Sequence, residues 1–249
     1  MGKAYIVVSG KGGVGKTTIS TSLSILLAKQ GSSVLLLEMD IGLRCIDQVM
    51  GIEHEATYDL EDLLQGDRKL KEVVTTSQYA PSLHILLAPQ LLSVNDIEKK
   101  NMARLIKLMK KNYQYVIVDC PAGIGRGIEN VIDVADEAII VTTPDDVAVR
   151  DAQKMKEVLC KDRNINAQLI INRVDKGLIW DGEMKRPGEI ARMLDVNLLG
   201  VIPNHNAIYL GLLRQIPAAC VKNLKIKRAF HIIVQRFLKE NTKLPRYCK

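Results

Sequence analysis

Gly10-Lys11-Gly12-Gly13-Val14-Gly15-Lys16-Thr17-Thr18 stands between the apolar run Tyr5–Val8 and the long stretch Lys16–Gln30. The run reads as a strand buried on both faces, and the stretch as a helix. The nine residues satisfy G-x-x-x-x-G-K-[ST] in the strand–turn–helix setting this pattern requires. Glycines let the backbone curl until successive N–H groups face inward at phosphate oxygens, and the following helix adds its positive end. Lys16 then reaches the β- and γ-phosphates, and the Thr17 hydroxyl ligates Mg²⁺. Lys11 is a departure from an ordinary loop of this kind. It sets a second cation beside the phosphates, where phosphoryl transfer is governed by positioning and charge stabilisation.

Outward from this turn, further apolar runs occur at Val34–Leu37, Leu83–Leu87, Tyr115–Val118, Ala138–Val141, Gln168–Ile171 and Leu198–Ile202. Between them lie stretches of helical period at Leu60–Gln65, Asp96–Asn112, 147–162, Pro187–Leu194 and Leu224–Lys239. Strand alternating with helix predicts a doubly wound, mostly parallel α/β sheet with helices on both faces and right-handed crossovers. No repeat or linker divides the chain. Residues 1–240 are expected to form one domain, and 241–249 a short polar tail.

The 249 residues carry 35 Lys and Arg against 28 Asp and Glu, a net charge of +7 that favours anionic partners. The proportions are globular, which excludes a disordered class. Five scattered cysteines with no C-x-x-C pair, and no secretory signal, predict free thiols in a reducing cytoplasm. No apolar run approaches the roughly 18 residues of a membrane span, so the expected location is cytoplasmic or peripheral at the inner membrane face.

Two acids follow strand-like runs. Asp119 follows Tyr115–Val118, and Asp40 follows Val34–Leu37 after Glu38 and Met39. Ligands bind at the carboxyl ends of parallel strands. Asp119 therefore reads as the acid holding Mg²⁺ through its waters, and Asp40 as the group orienting the attacking water. Gly123, in the loop after Asp119, offers an N–H that can sense the γ-phosphate.

With these motifs in place, the sequence resembles the MinD branch of the MinD/ParA family of deviant-Walker ATPases. The resemblance runs through Gly10–Thr18, Asp40-Ile41-Gly42-Leu43-Arg44, Tyr58-Asp59-Leu60 and Gln65-Gly66-Asp67. It continues through 119–124, Ala135-Asp136-Glu137-Ala138, Thr143-Pro144-Asp145 and Val149-Arg150-Asp151, and ends with Ile171-Asn172-Arg173 and 199–203. It implies an ATP-bound homodimer in which each Lys11 crosses into the partner's site, with weak hydrolysis stimulated by a protein activator or effector. It also implies that Asn172 and Arg173 recognise or cover adenine, that the stretch after Pro203 closes over the base, and that Asp151 holds Lys11 when ATP is absent.

Two features depart from the pattern. Cys45 stands where the family usually has Asn. Membrane-cycling members end in an amphipathic Phe- and Leu-rich segment, whereas the tail from Glu240 holds two large apolar residues and a proline, too little for an interfacial helix. The basic face of Leu224–Lys239 is then the route to an anionic membrane or to DNA. The function expected is an ATP-driven spatial switch that places the division site. A DNA-coating partition ATPase and a regulator of flagellar number are the alternatives. A cluster-maturation ATPase is disfavoured by the absence of C-x-x-C, and a small-molecule kinase by the absence of a second substrate motif.

Overall fold

The computed structural model describes residues 1–41, 44–89, 97–162 and 165–248. Gly42 and Leu43 of the Asp40–Arg44 motif, Asp96 at the start of one expected helix, and Lys249 lie outside the described residues.

Eight strands form one sheet: β1 (Lys3–Val8), β2 (Val34–Glu38), β3 (Thr75–Thr76), β4 (Leu83–Leu86), β5 (Tyr115–Asp119), β6 (Glu137–Thr142), β7 (Asn166–Val174) and β8 (Asn197–Pro203). Their order is β3-β4-β2-β5-β1-β6-β7-β8. Every pair is parallel except β3–β4, a two-residue antiparallel addition at one edge. The sheet is thus doubly wound and mostly parallel, with β1 between β5 and β6 where the chain switches direction across it. Such switch points open a crevice at the carboxyl ends of the strands.

Eleven α-helices are described. α1 (Lys16–Lys29), α2 (Ile46–Met50), α3 (Leu60–Gln65), α4 (Leu70–Val73), α5 (Lys99–Asn112) and α6 (Arg126–Ile132) come first. α7 (Asp146–Glu157), α8 (Lys176–Trp180), α9 (Pro187–Leu194), α10 (Asn206–Leu213) and α11 (Leu224–Phe237) complete the set. α7 continues into a wider π-helical turn over Val158–Asp162, which is why the expected helix runs on to residue 162.

Alternation along the strands builds two cores. In β1, Ala4, Ile6 and Val8 face one core together with Ile106 of α5, Ile128 of α6, Ala152 of α7 and Ile190 of α9. Tyr5 and Val7 face the other, shared with Ile19 and Leu23 of α1 and with Ile226, Phe230 and Ile233 of α11. The apolar stripe expected on the last helix is therefore core, and its basic residues other than Arg236 stay outside. The tail turns back: Cys248 is buried, Leu244 and Tyr247 pack on the first core, and the Arg236 guanidinium donates to Leu198 O, Leu199 O and Thr242 O at 2.8–2.9 Å.

Candidate functional site

The turn after β1 meets α1 through Gly15, which caps the helix at φ 95°, a left-handed conformation that strains any residue with a Cβ. A Cβ there would also stand 2.2 Å from Asn172 Nδ2. Gly10 is held just as closely, because a Cβ would fall 2.4 Å from the backbone of Asp151 on α7. The loop is therefore clamped from below at both ends. At Gly12 and Gly13 a Cβ would meet nothing within 4 Å, so the crest of the loop is an open cradle.

Beneath the cradle three groups converge. Lys16 Nζ is 3.1 Å from Asp119 Oδ1, and Thr17 Oγ1 donates to Asp119 Oδ2 at 2.7 Å. Lys16 and Asp119 are buried, so the ammonium and carboxylate interact in a medium of low effective dielectric. An ammonium, a hydroxyl and a carboxylate beside one helix N-terminus suit a phosphate with its divalent cation: Lys16 and the amides would take the phosphate, and Thr17 and Asp119 offer the hard oxygen donors Mg²⁺ prefers. The residues present fit an ATP–Mg²⁺ pair.

Strand register puts the remaining acids in a row. Val7 of β1 pairs with Asp119 of β5, which pairs with Glu38 of β2. Asp40, two residues beyond, is half-buried; burial raises its carboxyl above the ordinary range, Lys16 opposes this, and Asp119 adds to it. Glu38 was not singled out as functional, although an acid inside an apolar run was the available signal. It is fully buried and accepts N–H bonds from Cys45 (2.7 Å), Ile46 (2.9 Å) and Ala88 (3.3 Å). Burial pushes Glu38 up to about 7 against the pull of those three donors. Glu38 thus ties the far end of the Asp40–Arg44 segment, and the loop after β4, to the strand carrying Asp40. Cys45 belongs to this tether through its backbone, which any residue supplies.

Lys11 finds a different partner from the one expected. Its Nζ is 3.0 Å from Asp145 Oδ1, while the Asp151 carboxylate is 3.9 Å from Lys154. α7 runs under the loop with the Asp151 backbone pressed on Gly10, which leaves the N-terminal cap of that helix, not its second turn, facing Lys11. Asp145 is that cap, accepting from Ala148 N at 3.0 Å and from Thr143 Oγ1 at 2.5 Å. Partial burial opposes ionisation of Asp145, but Thr143, Ala148 N and Lys11 together hold it down at about 2. Lys11, Gly12, Gly13 and Val14 share a cavity of about 600 Å³ with Asp145, Arg173 and Lys185.

The remaining candidates are spread around the loop. Asn172 is buried under it, donating to Val14 O at 2.8 Å and accepting from Arg173 N at 2.9 Å, so its amide supports the loop; Arg173 is exposed in the cavity. Thr18 lies half-buried in the first turn of α1. Gly123 N donates to Ser9 O at 2.9 Å, joining the loop after Asp119 to the strand end before the cradle. Pro203 ends β8 and lines a separate groove, away from the lining of the first cavity.

The family model described as ParA, NUBPL iron-transfer P-loop NTPase, matches residues 1–236. The septum site-determining protein MinD of Bacillus subtilis is 35% identical over 246 residues, covering 98% of this chain and 92% of its own length. Among solved structures, a MinC:MinD cell division protein complex from Aquifex aeolicus superposes with a TM-score of 0.90 at 30% identity, covering 98% of this chain and 99% of that one. The Pyrococcus horikoshii septum site-determining MinD complexed with Mg-ADP gives a TM-score of 0.83 at 30% identity, covering 95% and 96%.

Proposed function

This chain belongs to the ParA/MinD family of P-loop NTPases, and from that premise we propose that it is a MinD-type ATPase that places the division site through an ATP-dependent dimerisation cycle. The observation that carries the reading is the convergence of Lys16, Thr17 and Asp119 under an open glycine cradle, with Lys11 held at its mouth by Asp145. The relative solved with Mg-ADP supports ATP and Mg²⁺ as the ligands here.

In this reading residues 1–240 act as one ATPase domain with 241–249 as its tail. Gly10, Gly12, Gly13, Val14, Gly15 and Thr18 shape the phosphate cradle, with Lys16 supplying its charge. Arg173 lies over the base with Asn172 fixing the loop beneath, and the stretch after Pro203 closes from the other side. Mg²⁺, when bound by Thr17 and Asp119, offsets phosphate charge. Asp40 orients the attacking water and takes its proton, and burial, by raising the Asp40 carboxyl, makes that carboxylate a better acceptor. Gly123 reports the γ-phosphate by exchanging its bond to Ser9 O. Lys11 leaves Asp145 to cross into a second copy, and a protein effector stimulates turnover; the relative solved in complex with MinC supports a protein partner.

Iron transfer, named in the family description, is the weaker reading. The five cysteines form no disulfide and lie on separate elements, and no group of three or more His, Cys, Asp or Glu among the described residues is arranged to hold a metal. DNA coating and flagellar number control use the same cycle and differ in partner. Contact with an anionic membrane or DNA through α11 would be electrostatic, since its apolar stripe is core. No described helix is long and apolar enough to cross a membrane, which fits a cytoplasmic or peripheral protein.

Light scattering with ATP and with ADP tests the cycle. Asp40→Ala should bind ATP and accumulate as dimer while turnover falls by about 10²-fold or more, the loss typical for a proton-accepting group. Lys16→Ala should neither bind nor dimerise. Monomer under every nucleotide condition would overturn the reading.

A further inference from the structure

Outside the nucleotide cradle, a groove of about 1360 Å³ lies between α11, the β8 edge of the sheet and the returning tail. Among the described residues, seven Lys and Arg line it against one carboxylate, Asp175. The lining therefore carries a net charge of +6, close to the +7 of the whole chain.

The charge has a definite arrangement. Lys225, Arg228, Ile232 and Arg236 follow one another at helical spacing, so they share a face of α11. Lys243 and Arg246 of the tail line the same groove. Arg236 is committed to two carbonyls of β8 and one of the tail. Arg192, Lys225, Arg228, Lys243 and Arg246 form no ion pair among the described residues. The apolar surface is supplied by Leu198 and Val201 of β8, Ala229 and Ile232 of α11 and Leu244 of the tail. Like charges crowded together without counter-ions repel, and an anionic occupant relieves that repulsion.

The dimensions and lining select among anions. The groove exceeds the roughly 300–1,000 Å³ of small-molecule pockets. Its apolar groups lie within a concavity, whereas binding in a bilayer surface needs them to project. Single-stranded nucleic acid is gripped by stacking platforms, and the aromatic ring here, Tyr247, is half-buried against the core. We propose that this groove binds an extended acidic segment of a partner protein, with carboxylates meeting the cations of α11 and the tail and apolar side chains seated on the β8 floor. Alternating side chains of an extended peptide point to opposite sides, which suits a groove with charged walls and an apolar base.

A fluorescein-labelled ten-residue peptide with Glu and Leu alternating is the probe, titrated with the full chain and read by anisotropy. Arg228→Glu with Lys243→Glu should weaken its Kd at least tenfold. Lys107→Glu with Lys111→Glu, exposed on α5 and equal in charge change, should leave it within twofold. Raising salt from about 0.05 to 0.5 M should weaken wild-type binding and leave the groove variant little changed. Equal loss in both double variants would reduce the groove to bulk charge and overturn the proposal. So would a duplex oligonucleotide or phosphatidylglycerol vesicles that bind more tightly than the peptide and depend on Arg228 and Lys243.

Discussion

Lys11 and Asp145 show how a single charge can be stored at a site. Their contact is 3.0 Å but solvent-facing, and exposed pairs contribute about 0–1 kcal/mol. That weakness suits the proposed cycle, in which Lys11 leaves its partner when ATP offers a better one. Asp145 also caps α7, so Asp145→Ala would confound two effects, whereas Asn caps about as well and carries no charge. Asp145→Asn should leave the melting temperature nearly unchanged at pH 7, yet lower the ATP concentration at which dimers appear, because Lys11 is released in advance. An unchanged or raised ATP requirement in sedimentation would remove Asp145 from the cycle. The pH sense follows from the depressed carboxyl: its folded value of about 2 lies below the ordinary 3.8, so its contribution is present above about pH 4 and lost as pH falls through 2. Neutral-pH experiments therefore read the ionised pair.

Among the elements, the end of β2 stands out, where the buried Glu38 carboxyl accepts from the backbones of Cys45, Ile46 and Ala88. Glu38 is raised from 4.5 to about 7, so its folded form favours the proton and its contribution to stability falls as pH rises between those values. Wild-type protein should lose stability on going from pH 5 to pH 8, by a few kcal/mol at most, and Glu38→Gln should not share that trend. Parallel melting curves across this range would show that Glu38 is fully ionised in the fold. Sequence reading reached much of this architecture because its signals were long. The helices near Pro187–Leu194 and Leu224–Phe237 carry periodic apolar positions, Lys16–Lys29 is marked by the glycine turn before it, and the central strands are nearly continuous apolar runs. It passed over β3, α2, α4 and α8, two to five residues each and too short to show a period, as well as the seven-residue α6, and α10, whose NAIYLGLL has no polar face to oppose an apolar one. Lys16, Thr17 and Asp119 were legible because strand ends and a glycine turn fix where their side chains go. The Lys11–Asp145 contact and the Glu38 tether were not, since each depends on how elements distant in sequence meet: 134 positions separate Lys11 from Asp145, and Ala88 lies 50 beyond Glu38.

At the scale of the whole molecule, nucleotide binding and dimerisation are both linked to folding, and a melting experiment separates them. A ligand that binds only the folded chain stabilises it by about 2.7 kcal/mol at 100 times its Kd. For a chain of this length that corresponds to a rise of roughly 5–10 °C in Tm. ADP with Mg²⁺ should give a rise of this order at any protein concentration, because one chain and one ligand are involved. Lys16→Ala should abolish it, since in the proposed site the buried ammonium beside Asp119 is the cation that offsets the phosphate charge. ATP with the hydrolysis-blocked Asp40→Ala protein should add a second increment that grows with protein concentration, the mark of an associated folded state. Adding Lys11→Ala should remove only that increment. Lys16, Thr17 and the loop amides still hold the nucleotide, and Lys11 itself lies in contact with Asp145 at the cavity mouth, not over the buried cluster. Melting of Asp40→Ala with ATP that is identical at 1 μM and 100 μM protein would rule out the dimer. Concentration dependence that survives Lys11→Ala would show that the two copies associate without a crossing lysine.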